Sequence, residues 1–200
     1  LQANRDIFVN NAIAITGAGI TLTMQAGRSI ITSATIGTNN ANITLSANDS
    51  AATDANRGAG AGVMTINNAI TAGTGAISLT VGSSTSGNFS PGDMSILAGL
   101  TGNGGVTISV PTGTTNSFSG ALTSTGTLTK NGAGLISFDN DNSGTFSGPT
   151  VINAGTILAT TAGSLGTGAI TVNNTGTFAI GGISLTIANP TINLNTGSTL

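Results

Sequence analysis

The sequence predicts an all-β solenoid of about nine or ten turns, each turn built from three short strands, and three observations predict it. Apolar and small polar residues alternate with a period of two, as in Ile43-Thr44-Leu45-Ser46, Ile77-Ser78-Leu79-Thr80-Val81 and Val106-Thr107-Ile108-Ser109-Val110. Successive strand starts fall five to eight residues apart, at 7, 13 and 20, then 64, 69 and 77, then 169, 177, 183 and 191. A sandwich or barrel would show longer spacing. Between the strands sit Gly and Asn pairs such as Asn10-Asn11, Asn67-Asn68 and Gly181-Gly182, residues that accept tight corners.

Composition narrows the function classes. Thr, Gly, Asn and Ser supply 108 of the 200 residues, and only 5% of the chain is charged. Yet 21 Ile, 14 Leu and 7 Val and a mean hydropathy of +0.31 set it apart from a disordered chain. With no His and no Cys, neither a Ser-His-Asp or Cys-His catalytic site nor a zinc site of the usual ligand set can be built. Four Lys plus Arg and no Trp or Tyr predict no nucleic-acid binding. No apolar run suits a membrane helix and the aromatic girdles of a barrel are missing, so no membrane insertion by this segment is expected.

From the N-terminus, the strands place Ile20, Leu22, Ile43, Leu45, Ile66, Ile77, Leu79 and Ile108 in the core, followed by Phe138, Ile170, Val172, Phe178, Ile180, Leu185 and Ile187. Outward Thr and Ser complete the alternation. Two stretches interrupt it: residues 47–62 (ANDSAATDANRGAGAG), with Asp49, Asp54 and Arg57, and residues 82–93 (GSSTSGNFSPGD). Both read as lateral loops leaving a rigid rod, either tolerated insertions without a role or binding loops, and in the second case Asp49, Asp54 and Arg57 are the candidates. Otherwise the whole of 1–200 reads as one solenoid fragment of a longer chain.

Asp139-Asn140-Asp141-Asn142-Ser143-Gly144 matches the opening of a calcium loop, which makes Asp139 and Asp141 the candidate metal ligands. The twelfth position is Thr150, which lacks the closing bidentate carboxylate, and the same stretch reads equally as a solvated turn. No other cofactor is expected. The two Asp lie close for two-carboxylate hydrolysis and no basic residue stands beside them, so the chain is read as no enzyme, with a polysaccharide-active one a less favoured alternative. Thr-x-Thr pairs at 21/23 and 127/129 suggest an ice-binding ladder, but elsewhere the pairs change to Thr44/Ser46, Ser78/Thr80, Thr107/Ser109 and Ser184/Thr186.

Residues 128–159 carry a more specific signal. Leu128-Thr129-Lys130-Asn131-Gly132-Ala133-Gly134, an aromatic at Phe146 and Thr150-Val151-Ile152-Asn153-Ala154-Gly155-Thr156-Ile157 closely resemble the passenger-associated transport repeat of bacterial autotransporters. Pro149 departs from that pattern, and the flanks extend the likeness over residues 117–182. The resemblance implies a right-handed parallel β-helix that is a non-catalytic adhesin-like passenger, exported by type V secretion to the Gram-negative cell surface or shed from it. It also implies continuity with a C-terminal membrane barrel outside this segment. The expected partners are host or abiotic surface ligands, or a second copy through self-association; a passive stalk and a filament or surface-layer subunit are the alternatives.

Overall fold

A computed structural model describes residues 1–182, 189 and 191–200. The chain winds in coils, and each strand pairs in parallel with its counterpart in the coil before and the coil after. Coil one holds β1 (Gln2–Ala3), β2 (Ile7–Val9) and β3 (Ile13–Ile15). Coil two holds β4 (Leu22–Ala26), β5 (Ile30–Thr32) and β6 (Ile36–Thr38). In coil three, β7 (Ile43–Ala47) is followed by a single-turn helix, α1 (Asp54–Arg57), then β8 (Gly62–Ile66) and β9 (Ile70–Gly73). Coil four holds β10 (Ile77–Val81), β11 (Pro91–Ile96) and β12 (Leu100–Gly102), and coil five β13 (Val106–Ser109), β14 (Ser117–Phe118) and β15 (Leu122–Thr123). Coil six has β16 (Leu128–Asn131) and β17 (Leu135–Phe138); coils seven and eight have β18 (Thr150–Ala159) and β19 (Ile170–Ile180); coil nine opens with β20 (Ile192–Leu194).

The parallel β-helix and its nine rungs agree with the solenoid read from the sequence. At about 4.8 Å per rung, nine rungs make a rod about 40 Å long. The three-strand turn holds only through coil five. In coils six and seven the third side is a turn, because the glycine-rich stretches there favour a turn over a strand; that of coil six is tied to β15's end by the Ser124–Phe146 bridge. In coils seven and eight, sides one and two fuse into the long bent strands β18 and β19, with a bulge after Ile152.

Register, rather than residue count, is what repeats. Paired residues on side one lie 23, 21, 34, 29, 22, 22, 20 and 22 residues apart from coil to coil. Coils three and four are long because both lateral loops leave between sides one and two. The second loop is shorter than expected: Pro91–Asp93 already belong to β11, where a bulge between Pro91 and Met94 keeps register with Gly62 and Met64. Pro91 starts its strand, where a missing N–H is tolerated.

Inward positions stack into columns. On side one, Met24, Leu45, Leu79 and Ile108 lie below Lys130, with Ile152 and Val172 above it, and all are buried. On side two, Ile66, Ile96, Phe118 and Phe138 form another column, the two rings stacked 4.9 Å apart at 19°. Side three stacks Ile13, Ile36, Ile70, Leu100 and Leu122.

Two expected core residues are exposed. Ile20 is 54% exposed because it sits in the corner before β4, where the alternation has not begun. Ile180 is 46% exposed at the end of β19, where no described residue pairs above it. Leu22 is half-buried; Leu185, Ile187, the strand start at 183 and the pair Ser184/Thr186 lie outside the described residues.

Candidate binding platform

The two lateral loops emerge from one corner on successive coils and are locked together by a buried cation. Arg57, the last residue of α1, is fully buried. Its guanidinium donates to the carbonyls of Gly27 in coil two, Gly58 (3.2 Å) and Gly60 (3.0 Å) in the first loop, and Asn88 and Ser90 (3.4 Å) in the second. It also donates to Asn48 Oδ1 at 2.6 Å, and Phe89 lies 5.0 Å beneath it as a cation–π partner. Burial lowers the pKa of this side chain below that of a free arginine, yet the surrounding oxygens keep it satisfied. The arginine offered by the sequence as a surface contact is therefore an internal staple across three coils.

Asn48 completes the lock from the other side. Buried, with φ at +49°, it donates to the carbonyls of Gly82 (2.8 Å) and Ser84 (3.0 Å) while its oxygen receives Arg57. Asp54 is exposed at the outer rim, where its carboxylate and carbonyl accept from the main chain and side chain of Asn88. Asp49 is half-buried at the foot of the first loop and accepts from the Ala51 amide (2.8 Å) and from Gln25 (3.3 Å). Below it, Asp6 takes a bidentate contact from Arg28 and the Ser29 amide, and this arginine holds its carboxyl below the ordinary carboxylate range. Three of the four cations of the chain (Arg5, Arg28, Arg57) and three of its six Asp thus gather in the first three coils.

Three clefts open beside this platform. The first, about 220 Å³, is lined by Gln2, Asn4, Gln25, Asp49 and small neighbours; the second, about 360 Å³, by Ser46, Asn48, Asp49, Ser50, Thr80 and Gly82–Ser84; the third, about 330 Å³, by Thr80, Gly82, Ser83, Ser109, Thr112 and Gly132 among others. The first two share Asp49, and the last two share Thr80, Gly82 and Ser83, so the clefts line up along the rod as a groove divided at Asp49, whose carboxylate is tied to Gln25 and the Ala51 amide. Its floor is an outward column in register: Gln2, Gln25, Ser46, Thr80 and Ser109. Beyond the groove the column continues as a ladder of asparagines, each Nδ2 donating to the Oδ1 one coil below: Asn153 to Asn131, Asn173 to Asn153 and Asn195 to Asn173, at 2.9, 2.7 and 2.6 Å.

The paired ladder residues on this face are Thr23/Gln25, Thr44/Ser46, Ser78/Thr80, Thr107/Ser109 and Thr129/Asn131. The Thr-x-Thr pairs of the sequence at 21/23 and 127/129 are thus offset from this register, and the face is chemically mixed.

The metal candidates occupy the turn between coils six and seven. Asp139 accepts hydroxyl hydrogen bonds from Ser119 (3.3 Å), Ser137 (3.1 Å) and Thr160 (2.8 Å), which belong to three successive coils. Asp141 accepts the Ser143 amide at 2.9 Å, which lowers its pKa. Asn142, next after Asp141, is fully buried: its oxygen takes the Leu122 amide (2.8 Å) and its nitrogen donates to the Ser164 carbonyl (2.7 Å). Thr150 is buried in the inner column of side one. Among the described residues no three His, Cys, Asp or Glu side chains gather as metal ligands.

The segment that resembles the transport repeat forms coil six and β18. Lys130 is 1% exposed, and its ammonium donates to the carbonyls of Asn131 (2.7 Å), Gly132 (2.7 Å) and Ala154 (3.1 Å). Burial pulls its pKa down to about 8. Gly132 and Gly155 both have positive φ, at +73° and +68°, and a Cβ on either would meet the coil below within 2.6 Å, so only glycine fits. Family models, curated proteins and solved structures were compared with the chain, and none matches.

Proposed function

We propose that this chain is a non-catalytic, adhesive segment of an exported surface protein, a rigid β-helical rod that presents a binding platform at the corner of its first four coils. The carrying observation is the platform itself: two loops held by the buried Arg57 and Asn48 over a groove, in the half of the rod where the chain concentrates its charge. Loops on a rigid scaffold are suited to recognition. The likeness of residues 128–159 to the transport repeat supports export by a type V route and display on the outer surface. Coils five to nine carry no comparable lateral loops among the described residues and suit a spacer, which is the second reading.

The test is a binding screen of the purified chain on beads against polysaccharides, matrix proteins, host cells and itself, with self-association followed by sedimentation. Saturable binding to at least one partner is expected. A folded, monomeric rod that binds nothing leaves the spacer reading in place and rejects adhesion.

A further inference from the structure

We propose that side one is an ice-binding face, built on a column of threonines whose register only the structure reveals. The second residue of each side-one strand is Thr23, Thr44, Ser78, Thr107, Thr129, Val151 and Thr171 in coils two to eight, and these pair rung on rung. Six of the seven carry a hydroxyl, and six of the seven are branched at the β-carbon with an outward methyl group. At about 4.8 Å per rung the column is about 29 Å long. Among the described residues, none of the six hydroxyls makes a hydrogen bond within the chain, so all are open to water. In coils three to five a second column of hydroxyls, Ser46, Thr80 and Ser109, stands two residues along each strand, about 6.6 Å away, and turns the row into a grid. No charged residue stands in either column.

Strand preference alone does not account for the column. The outward column of side two reads Phe8, Ile31, Thr65, Ser95, Ser117, Ser137, Leu158 and Ala179, hydroxyl and apolar groups mixed. One chemical group repeated at one spacing on a rigid rod matches a ligand that has its own repeat: a soluble molecule meets a few rungs, whereas a crystal surface meets them all. The face is uncharged, so it offers an ionic lattice no attraction, and its hydroxyls donate and accept as water does. β-Branched side chains are stiff at χ1, so the hydroxyls hold their places before the ligand arrives and little rotamer freedom is lost. The methyl groups between them cannot bond water, so the waters above bond to one another and to the hydroxyl row, an order that ice continues.

The experiment grows ice slowly from a seed in a dilute solution of the intact chain and measures the protein in the ice and in the remaining liquid, with thermal hysteresis as a second readout. The parent should enter the ice. Thr107→Lys sets a charged chain in the middle of the column from a half-buried outward position, and its content in the ice should be lower by about tenfold or more. Thr65→Lys, outward on side two, should enter as the parent does. Circular dichroism of both variants should match that of the parent; should Thr107→Lys lose the native spectrum, Thr44→Lys in coil three makes the same test. Exclusion of the parent from the ice, equal entry of the folded side-one variant, or loss of entry in Thr65→Lys overturns the proposal. The adhesive reading is decided separately, by the bead screen in the absence of ice.

Discussion

At the scale of single residues, Lys130 is the most consequential departure from an aliphatic core. The sequence reading placed neither Leu128 nor Lys130 in the core, although the two share one parity in the strand and both turn inward. Three carbonyls make burial tolerable, and the ammonium is still held down to about pKa 8, against 10.5 for a free lysine. Below pH 8 the folded state carries the penalty of a buried charge in full. Between pH 8 and 10.5 the folded chain releases the proton while the unfolded chain still holds it, so stability rises with pH. The gain is about 3 kcal/mol by linkage. The chain has no Tyr, Cys or second Lys, the side chains whose ordinary pKa values lie in or beside that window. Urea unfolding across this range should show the rise, and Lys130→Met should give a flat profile. Arg57 teaches the opposite lesson: nothing in a charged, glycine-rich stretch distinguishes an inward arginine from a solvated one, because its partners are carbonyls from three coils.

At the scale of elements, the strands were readable and the devices that join them were not. Alternation and corner residues mark each strand locally, whereas register depends on coil lengths that run from 20 to 34 residues, so the groove floor and the asparagine ladder have no sequence signal. Buried asparagines serve as strand substitutes. Asn116 takes the place of an aliphatic residue between Met94 and Ile136; its oxygen accepts the Met94 amide (2.9 Å) and its nitrogen donates to the Leu135 carbonyl (2.8 Å). Asn142 does the same one side further on, which explains why an apparent cation motif contains a residue turned inward. Asn116→Leu should leave both main-chain groups unpaired and destabilise the rod by about 3 kcal/mol, measured as a shift in the denaturant midpoint at unchanged slope. A variant as stable as the parent would mean that the backbone closes the gap itself.

At the scale of the whole molecule, one column of side chains runs through nearly every coil, so damage to a middle rung should reach both halves. Ile108 lies in coil five, buried between Leu79 and Lys130. Ile108→Asp removes the aliphatic side chain and buries a carboxylate one rung from the Lys130 ammonium, which three carbonyls already hold, so the desolvation cost is offset only in part and about 3 kcal/mol or more should be lost. Hydrogen exchange should show protection lost in coils four to six first, as expected for a stack in which each repeat leans on its neighbours. Normal cooperative melting of this variant would contradict the core assignment. The orientation of the inter-coil hydrogen bonds also decides how such a rod responds to force. Because they lie parallel to its long axis, a pull between the two ends loads them in series rather than side by side, and coils peel away one after another. A tether of this kind yields stepwise, lengthening and dissipating work at each step, except where Arg57 and its carbonyl partners rivet three successive coils into a single block.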